Sequence, residues 1–341
     1  MKPELSIVIP VYNHPDELCA MIDSIIANSY QSWELLLIDD GSDKQTIVRE
    51  QEYAKKDPRI KLVERNQLPK GAQTCRNMGL QLAQGEFLIW FDSDDIISDE
   101  CLKNRVASIK SHPELDFMVF PSGVVENDKI VSGPHIRNMG FRILPDDLSL
   151  FAQRFLPFTV WTNIYRVDSL HKFGMNWDVN LLSLQDSDFN IQALLRGMKF
   201  DYAQVPIDYY YRINYSSNTI ASNIVSKKHQ KSHAYWIEKT FQQIQSKYNH
   251  RYDYYIYLGA LKLFHYSCEK KYDDGFSHMI SKIIMNYSKK WGIICNVQFF
   301  VLKLFSCLMP YVLSLKFAFF NYYKNQKSMI KKKRILMASA Y

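Results

Sequence analysis

Four short apolar runs in the first hundred residues are separated by stretches with helical patterning, and three of them end on a polar or acidic cluster. Leu5-Ser6-Ile7-Val8-Ile9-Pro10-Val11 closes on Tyr12-Asn13, and Leu35-Leu36-Leu37-Ile38 closes on Asp39-Asp40-Gly41-Ser42. Ile60-Lys61-Leu62-Val63 follows, and Phe87-Leu88-Ile89-Trp90-Phe91 closes on Asp92-Ser93-Asp94-Asp95. Apolar runs this short and continuous suit strands buried on both faces, which is the condition of a parallel sheet. Residues 15–29 place Leu18, Ile22, Ile25 and Ile26 at helical spacing behind Pro15 and Asp16. Further helices are expected over about 44–56, 72–83 and 98–111. A β-α-β-α-β-α-β order predicts an α/β fold, a Rossmann-like, mostly parallel sheet with helices on both faces. Ligands of such sheets bind at the carboxyl ends of the strands, where these polar clusters fall.

A strand–helix start of this kind is shared with dinucleotide-binding and P-loop folds, so the glycines decide. The first turn is Pro10-Val11-Tyr12-Asn13-His14-Pro15, and neither G-x-G-x-x-G nor G-x-x-x-x-G-K-S/T occurs anywhere. A glycine-rich phosphate cradle is excluded, and carboxylates offer another device. Asp92, Asp94 and Asp95 would repel one another unless a cation or hydrogen bonds neutralised them. Hard divalent cations take oxygen ligands, and Mg²⁺ is commonly held by one or two carboxylates with phosphates completing the shell. The plain alternative is a solvated acidic turn capping the next helix. The six Cys form no C-x-x-C pair and no zinc-spaced Cys/His cluster, which argues against a disulfide scaffold or structural zinc.

The ordered motifs Ser6-Ile7-Val8-Ile9-Pro10-Val11-Tyr12-Asn13, Leu37-Ile38-Asp39-Asp40-Gly41-Ser42, Gly71…Arg76-Asn77-Met78-Gly79 and Gly85-Glu86-Phe87…Asp92-Ser93-Asp94-Asp95 resemble glycosyltransferase family 2 on a GT-A fold. A weaker match runs on through Trp161-Thr162-Asn163-Ile164-Tyr165-Arg166 and Gln185-Asp186-Ser187-Asp188-Phe189. The resemblance thus covers roughly residues 4–215. It implies inverting transfer of a sugar from a nucleotide diphosphate, with UDP-sugar as donor and Mn²⁺ or Mg²⁺ as cofactor. On it, Pro10, Val11 and Tyr12 would line the base pocket and Asp39 would accept from the uracil N3–H. Arg76 would lie near the phosphates, and Asp92, with Ser93 beside it, would contact the ribose. Asp94, with Asp92, would coordinate the metal. Asp95 is either a further support of that ligand or a capping residue.

An inverting displacement needs one general base for the acceptor hydroxyl. The family usually carries Glu-Asp at the position of Gln185-Asp186, so the resemblance makes Asp186 the base, with Gln185 changing its neighbour's charge. Asp188 is the competitor, and the two point to different faces of a helix. Helix capping would serve for either. Arg212 would neutralise diphosphate charge. Trp161 either flanks the acceptor site or packs in the core. The Q-x-x-R-W motif of polymerising members is absent after Asp186, which implies one sugar per encounter.

Charge divides the chain. Residues 1–225 carry 22 Lys/Arg against 30 Asp/Glu, whereas residues 226–341 carry 20 against 5. Three regions are expected: a catalytic domain over 1–218, a helical lobe over 219–290, and an apolar, polybasic tail over 291–341. In that tail the longest uncharged runs are 12 residues, below the length of about 18 that a spanning helix needs. Its narrow polar stripe, a kink at Pro310 and the basic run Lys327–Arg334 suit an anionic membrane surface, which attracts each cation by about 1 kcal/mol. The alternative is a helix packed beneath the catalytic domain with a solvated tail. No nucleic-acid module is recognisable, so nucleic acid is not expected as a partner.

The N-terminus shows no signal-peptide pattern, and a cytoplasmic protein peripheral on the inner membrane face is expected. The expected function is transfer to a glycan or lipid-linked acceptor in cell-surface polysaccharide synthesis. Its rivals are a sugar nucleotidyltransferase and a non-catalytic sugar-nucleotide-binding protein.

Overall fold

The structure, a computed structural model, describes residues 2–127, 129–131, 138–143, 146–213, 226–269 and 274–308. Strands β1 (Leu5–Val11), β2 (Trp33–Asp39), β3 (Ile60–Glu64) and β4 (Phe87–Trp90) alternate with helices α1 (Pro15–Ile26), α2 (Lys44–Lys56) and α3 (Ala72–Leu82). These four strands pair in parallel in the order β4-β1-β2-β3. Side chains alternate across β1. Leu5, Ile7, Ile9 and Val11 pack with Leu18, Ile22 and Ile25 of α1, while Val8 faces α3 and the opposite layer. There Gly79 of α3 is required, because a Cβ would stand 2.2 Å from a Val8 methyl carbon.

Beyond β4 the chain forms β5 (Ile96–Ile97), α4 (Cys101–Lys110), β6 (Phe117–Val119), β7 (Ser122–Glu126), β8 (Lys129–Ile130) and α5 (Asp147–Ala152). Then come β9 (Asn163–Arg166), α6 (Val167–Lys172), α7 (Gln185–Arg196), β10 (Phe200–Tyr202) and β11 (Tyr209–Ile213). The main sheet has seven strands in the order β10-β6-β9-β4-β1-β2-β3, with β9 antiparallel to both neighbours. A second, four-stranded sheet, β5-β11-β7-β8, stands beside the end of β4.

Four helices complete the described chain: α8 (Lys227–Tyr248), α9 (Asp253–Glu269), α10 (Asp274–Tyr287) and α11 (Lys289–Leu308). Trp236, Ile237, Phe241 and Ile244 of α8 are fully buried in the apolar cluster that also holds Val8, Trp90 and Phe189. Each such side chain contributes about 1.5–3 kcal/mol on burial, so α8 is bound tightly to the sheet layer. Trp291 opens α11 by stacking on Tyr257 of α9, ring centroids 4.8 Å apart. The first turns of α11 therefore lie on protein. The expected boundary at 218 and residues 309–341, with Pro310 and the basic run, lie outside the described residues. Among those described, no helix is long and apolar enough to cross a membrane.

Candidate active site

Parallel register brings the ends of the strands together. Val11 stands opposite Asp39, and the Phe91 N–H bonds the Val8 carbonyl at 3.1 Å, so Asp92 emerges level with the end of β1. On the β1 turn, Pro10 is half-buried, Val11 buried and Tyr12 51% exposed. Asn13 and His14 adopt left-handed conformations (φ 61° and 59°), which turn the chain sharply into α1. Asn13 ties this turn to the next: its N–H donates to Ser42 Oγ at 3.0 Å, and its side-chain oxygen accepts from the Asp43 N–H at 2.9 Å.

Asp39 is 5% exposed, and its oxygens accept the N–H groups of Gly41 at 3.0 Å and Ser42 at 3.1 Å. An Asx-type turn therefore holds the carboxylate still, and a carboxylate retains capacity for another donor beyond these. Asp40 turns away, pairing with Arg65 at 2.5 Å and accepting from the Gly71 N–H at 3.2 Å. That pair fixes the loop leading into α3.

The carboxylates after β4 diverge in role. Asp95 is fully buried and accepts from the Tyr209 hydroxyl and, at 2.7 Å, from the Arg212 N–H. Burial and the neighbouring Asp94 push its carboxyl well above the usual range. It therefore fastens β11 to the acidic turn. Arg212 donates through Nε to the Asp94 backbone carbonyl at 3.0 Å. Asp92, Ser93 and Asp94 stay half-buried at the strand end. Burial, and then the charge of Asp92, raise Asp94 to about 6, with the His14 side chain opposing the rise.

Arg76, 6% exposed on α3, links this turn to α7. It donates to Asp92 at 2.7 Å and to the Gln185 side-chain oxygen at 3.1 Å, and its guanidinium lies 4.5 Å over the Trp177 ring. Its Nε is buried with no hydrogen-bond partner among the described residues. Next to Gln185, Asp186 is raised to about 6 by burial first, with Arg76 and the Val160 backbone pulling it down and Asp92 pushing it up. Its Oδ1 is buried and has no hydrogen-bond partner among the described residues. Asp188 faces elsewhere, pairing with Lys239 of α8 at 2.8 Å and accepting from Gln192 at 2.6 Å. Of the two candidates, only Asp186 shares the electrostatic neighbourhood of Asp92 and Arg76.

Asp92, Asp94, Arg76 and Asp186 thus gather around one edge, with Asp39 and Tyr12 on the adjoining strand ends. Trp161 is not at a surface: it is 4% exposed and stacks on Tyr209 at 4.6 Å, inside the core. Trp177 under Arg76, Tyr209 on Asp95 and Lys70 over Tyr12 carry no signature in the linear chain, since each acts through a contact distant in sequence. Among the described residues no three His, Cys, Asp or Glu side chains converge into a metal cage. The donor set is two carboxylates, Asp92 and Asp94. Asp94 has no ion-pair partner among the described residues, and burial, followed by the charge of Asp92, raises its carboxyl. That pair fits a hard divalent cation whose other ligands come from outside the chain.

An open, mostly parallel sheet with carboxylates at its strand ends is the architecture of the GT-A glycosyltransferases. Against the crystal structure of Staphylococcus aureus TarS 1-349 in complex with UDP-GlcNAc, the chain superposes with a TM-score of 0.63 at 19% identity, covering 85% of this chain and 83% of that one. The model of glycosyl transferase family 2 matches residues 6–170. The Escherichia coli enzyme WfgD, a UDP-Glc:alpha-D-GlcNAc-diphosphoundecaprenol beta-1,3-glucosyltransferase, is 35% identical over 127 residues, 37% of this chain and 49% of its own length. The poly(ribitol-phosphate) beta-N-acetylglucosaminyltransferase TarS of Staphylococcus aureus is 25% identical over 226 residues, 65% of this chain and 38% of that protein. The chain therefore spans less than half the length of both curated relatives. Over residues 6–170 it is similar to glycosyl transferase family 2, and both of these relatives are glycosyltransferases.

Proposed function

We propose that this protein transfers a single sugar from a UDP-sugar to a glycan or lipid-linked acceptor, with inversion, in the synthesis of a cell-surface polysaccharide. The observation that carries this reading is the unpartnered, buried Asp186 Oδ1 beside the Arg76–Asp92 pair. A base held near pKa 6 is ionised at neutral pH yet basic enough to take a proton as a hydroxyl attacks. Asp186 would receive the acceptor proton at Oδ1. Arg76 would hold Asp92 in place and keep the ionised form of Asp186 accessible. Tyr12 and the fixed Asp39 would seat the base, while Asp92 and Ser93 would meet the ribose. Arg212, on the strand pinned by Asp95, would add positive charge near the phosphates. Asp94 and Asp92 would hold Mg²⁺ or Mn²⁺, which when bound supplies Lewis-acid stabilisation of the departing diphosphate.

The donor and acceptor classes draw support from the relatives. One is a glucosyltransferase using UDP-Glc and a diphosphoundecaprenol-linked sugar, and another modifies poly(ribitol-phosphate). The basic tail supports residence at an anionic, cytoplasm-facing membrane surface. A nucleotidyltransferase would need a glycine- and Arg/Lys-rich loop where Pro10-Val11-Tyr12-Asn13 stands.

The test is release of nucleoside diphosphate from a panel of UDP-, GDP- and dTDP-sugars, with and without Mg²⁺ or Mn²⁺. Turnover of a UDP-sugar that stops in Asp94→Asn is expected. Metal-independent turnover, or an Asp94→Asn protein as active as wild type, refutes the reading.

A further inference from the structure

The base end of this site holds a cation that the proposed transfer does not use. Lys70 is exposed on the loop between β3 and α3, and its ammonium lies 3.8 Å from the Tyr12 ring centroid. The same nitrogen lies 3.8 Å from the position a Cβ on Gly41 would take. Gly41 is the residue whose N–H fixes the Asp39 carboxylate at 3.0 Å. Lys70 therefore spans the Tyr12 ring and the Asp39 turn. The charge of nearby Arg65 is committed to Asp40, whereas no carboxylate pairs with Lys70 among the described residues.

An ammonium only donates and an ionised carboxylate only accepts. With the ammonium over the Tyr12 ring and the carboxylate fixed by the Gly41 N–H, the two together match a pyrimidine edge that offers an N–H next to a carbonyl oxygen, which is the edge of uracil. Cytosine offers a ring-nitrogen acceptor next to an amino donor, so it opposes both groups and leaves both unpaired. We propose that Lys70 is a specificity-determining residue that, together with Asp39, selects uracil over cytosine in the bound nucleoside diphosphate. This rests on the uridine-nucleotide reading above. Sites built to hydrogen-bond one edge reject the mismatched edge strongly, because their own polar groups are left without partners.

The experiment is titration calorimetry of UDP and CDP, each with Mg²⁺, against the full chain. Lys70→Met keeps the stem and removes the charge. Because Lys70 is exposed, the thermal midpoint should not move. UDP affinity is expected to fall about tenfold in Lys70→Met with CDP affinity unchanged, and Lys70→Arg should retain the preference. An unchanged UDP/CDP ratio in Lys70→Met overturns the inference, as does a wild-type protein that binds both equally, and in either case the donor reading stands. Wild-type protein that binds neither nucleotide overturns the donor reading together with it.

Discussion

Asp186→Asn should make the protein more stable and inactive at once. Burial raises the Asp186 carboxyl from an ordinary 3.8 to about 6. Between those two pH values the native chain keeps a proton that the unfolded chain has released, so stability falls as pH rises through that window. Above pH 6 the cost of holding the ionised form is complete, at most about 3 kcal/mol. Below pH 3.8 it vanishes, because both states are protonated. Asparagine is nearly isosteric and never ionises. The variant should therefore gain up to about 3 kcal/mol at pH 8, visible as a rise of a few degrees in thermal midpoint, and nothing at pH 3.5. Turnover should drop by about 10²- to 10⁴-fold with the loss of the general base. In the wild type the acidic limb of kcat should bend near pH 6. Thermal melts across pH, paired with nucleoside diphosphate release, read both sides. A variant destabilised equally at every pH, or one that keeps its turnover, refutes the assignment of Asp186.

Arg105→Ala should destabilise the fold by about 3–5 kcal/mol in denaturant unfolding. Arg105 is fully buried, meets Asp208 through two bonds of 2.6 and 2.8 Å and donates to the Trp161 carbonyl at 2.8 Å, so the variant strands a buried carboxylate; a midpoint within about 0.5 kcal/mol of wild type contradicts this. In flotation with vesicles containing anionic lipid, the full chain should rise with the lipid and a chain ending at residue 308 should not. Equal flotation of both assigns the membrane contact elsewhere.

The central strands and the acidic strand ends were readable because their pattern is local. Period, length and closing residues identify β1, β2, β3 and β4 without knowledge of the rest, and α2 spans Lys44–Lys56 as expected from its spacing. A strand within 159–166 is expected from the sequence and is β9, but its direction is hidden, since four residues that insert antiparallel between β4 and β6 look no different from a parallel strand. The second sheet is equally hard to read: β5 and β8 are two residues long, and β5 is defined by pairing with the distant β11. At the site, helical geometry separates Asp186 from Asp188 but does not say which one faces inward. That depends on where α8 places Lys239. The bond from Asp95 to Tyr209 closes across more than a hundred residues, beyond any motif.

One contact has a mechanical consequence. The Lys239 ammonium bridges Asp178 at 2.6 Å, ahead of α7, and Asp188 at 2.8 Å, in its first turn. The stretch bearing Gln185 and Asp186 is thereby clasped at both ends by a helix far downstream. Evolution can redecorate the solvent side of that brace freely, yet its inward lysine acts like a keystone. A lineage that shed the distal helices would have to invent another anchor before its proton acceptor could hold its aim.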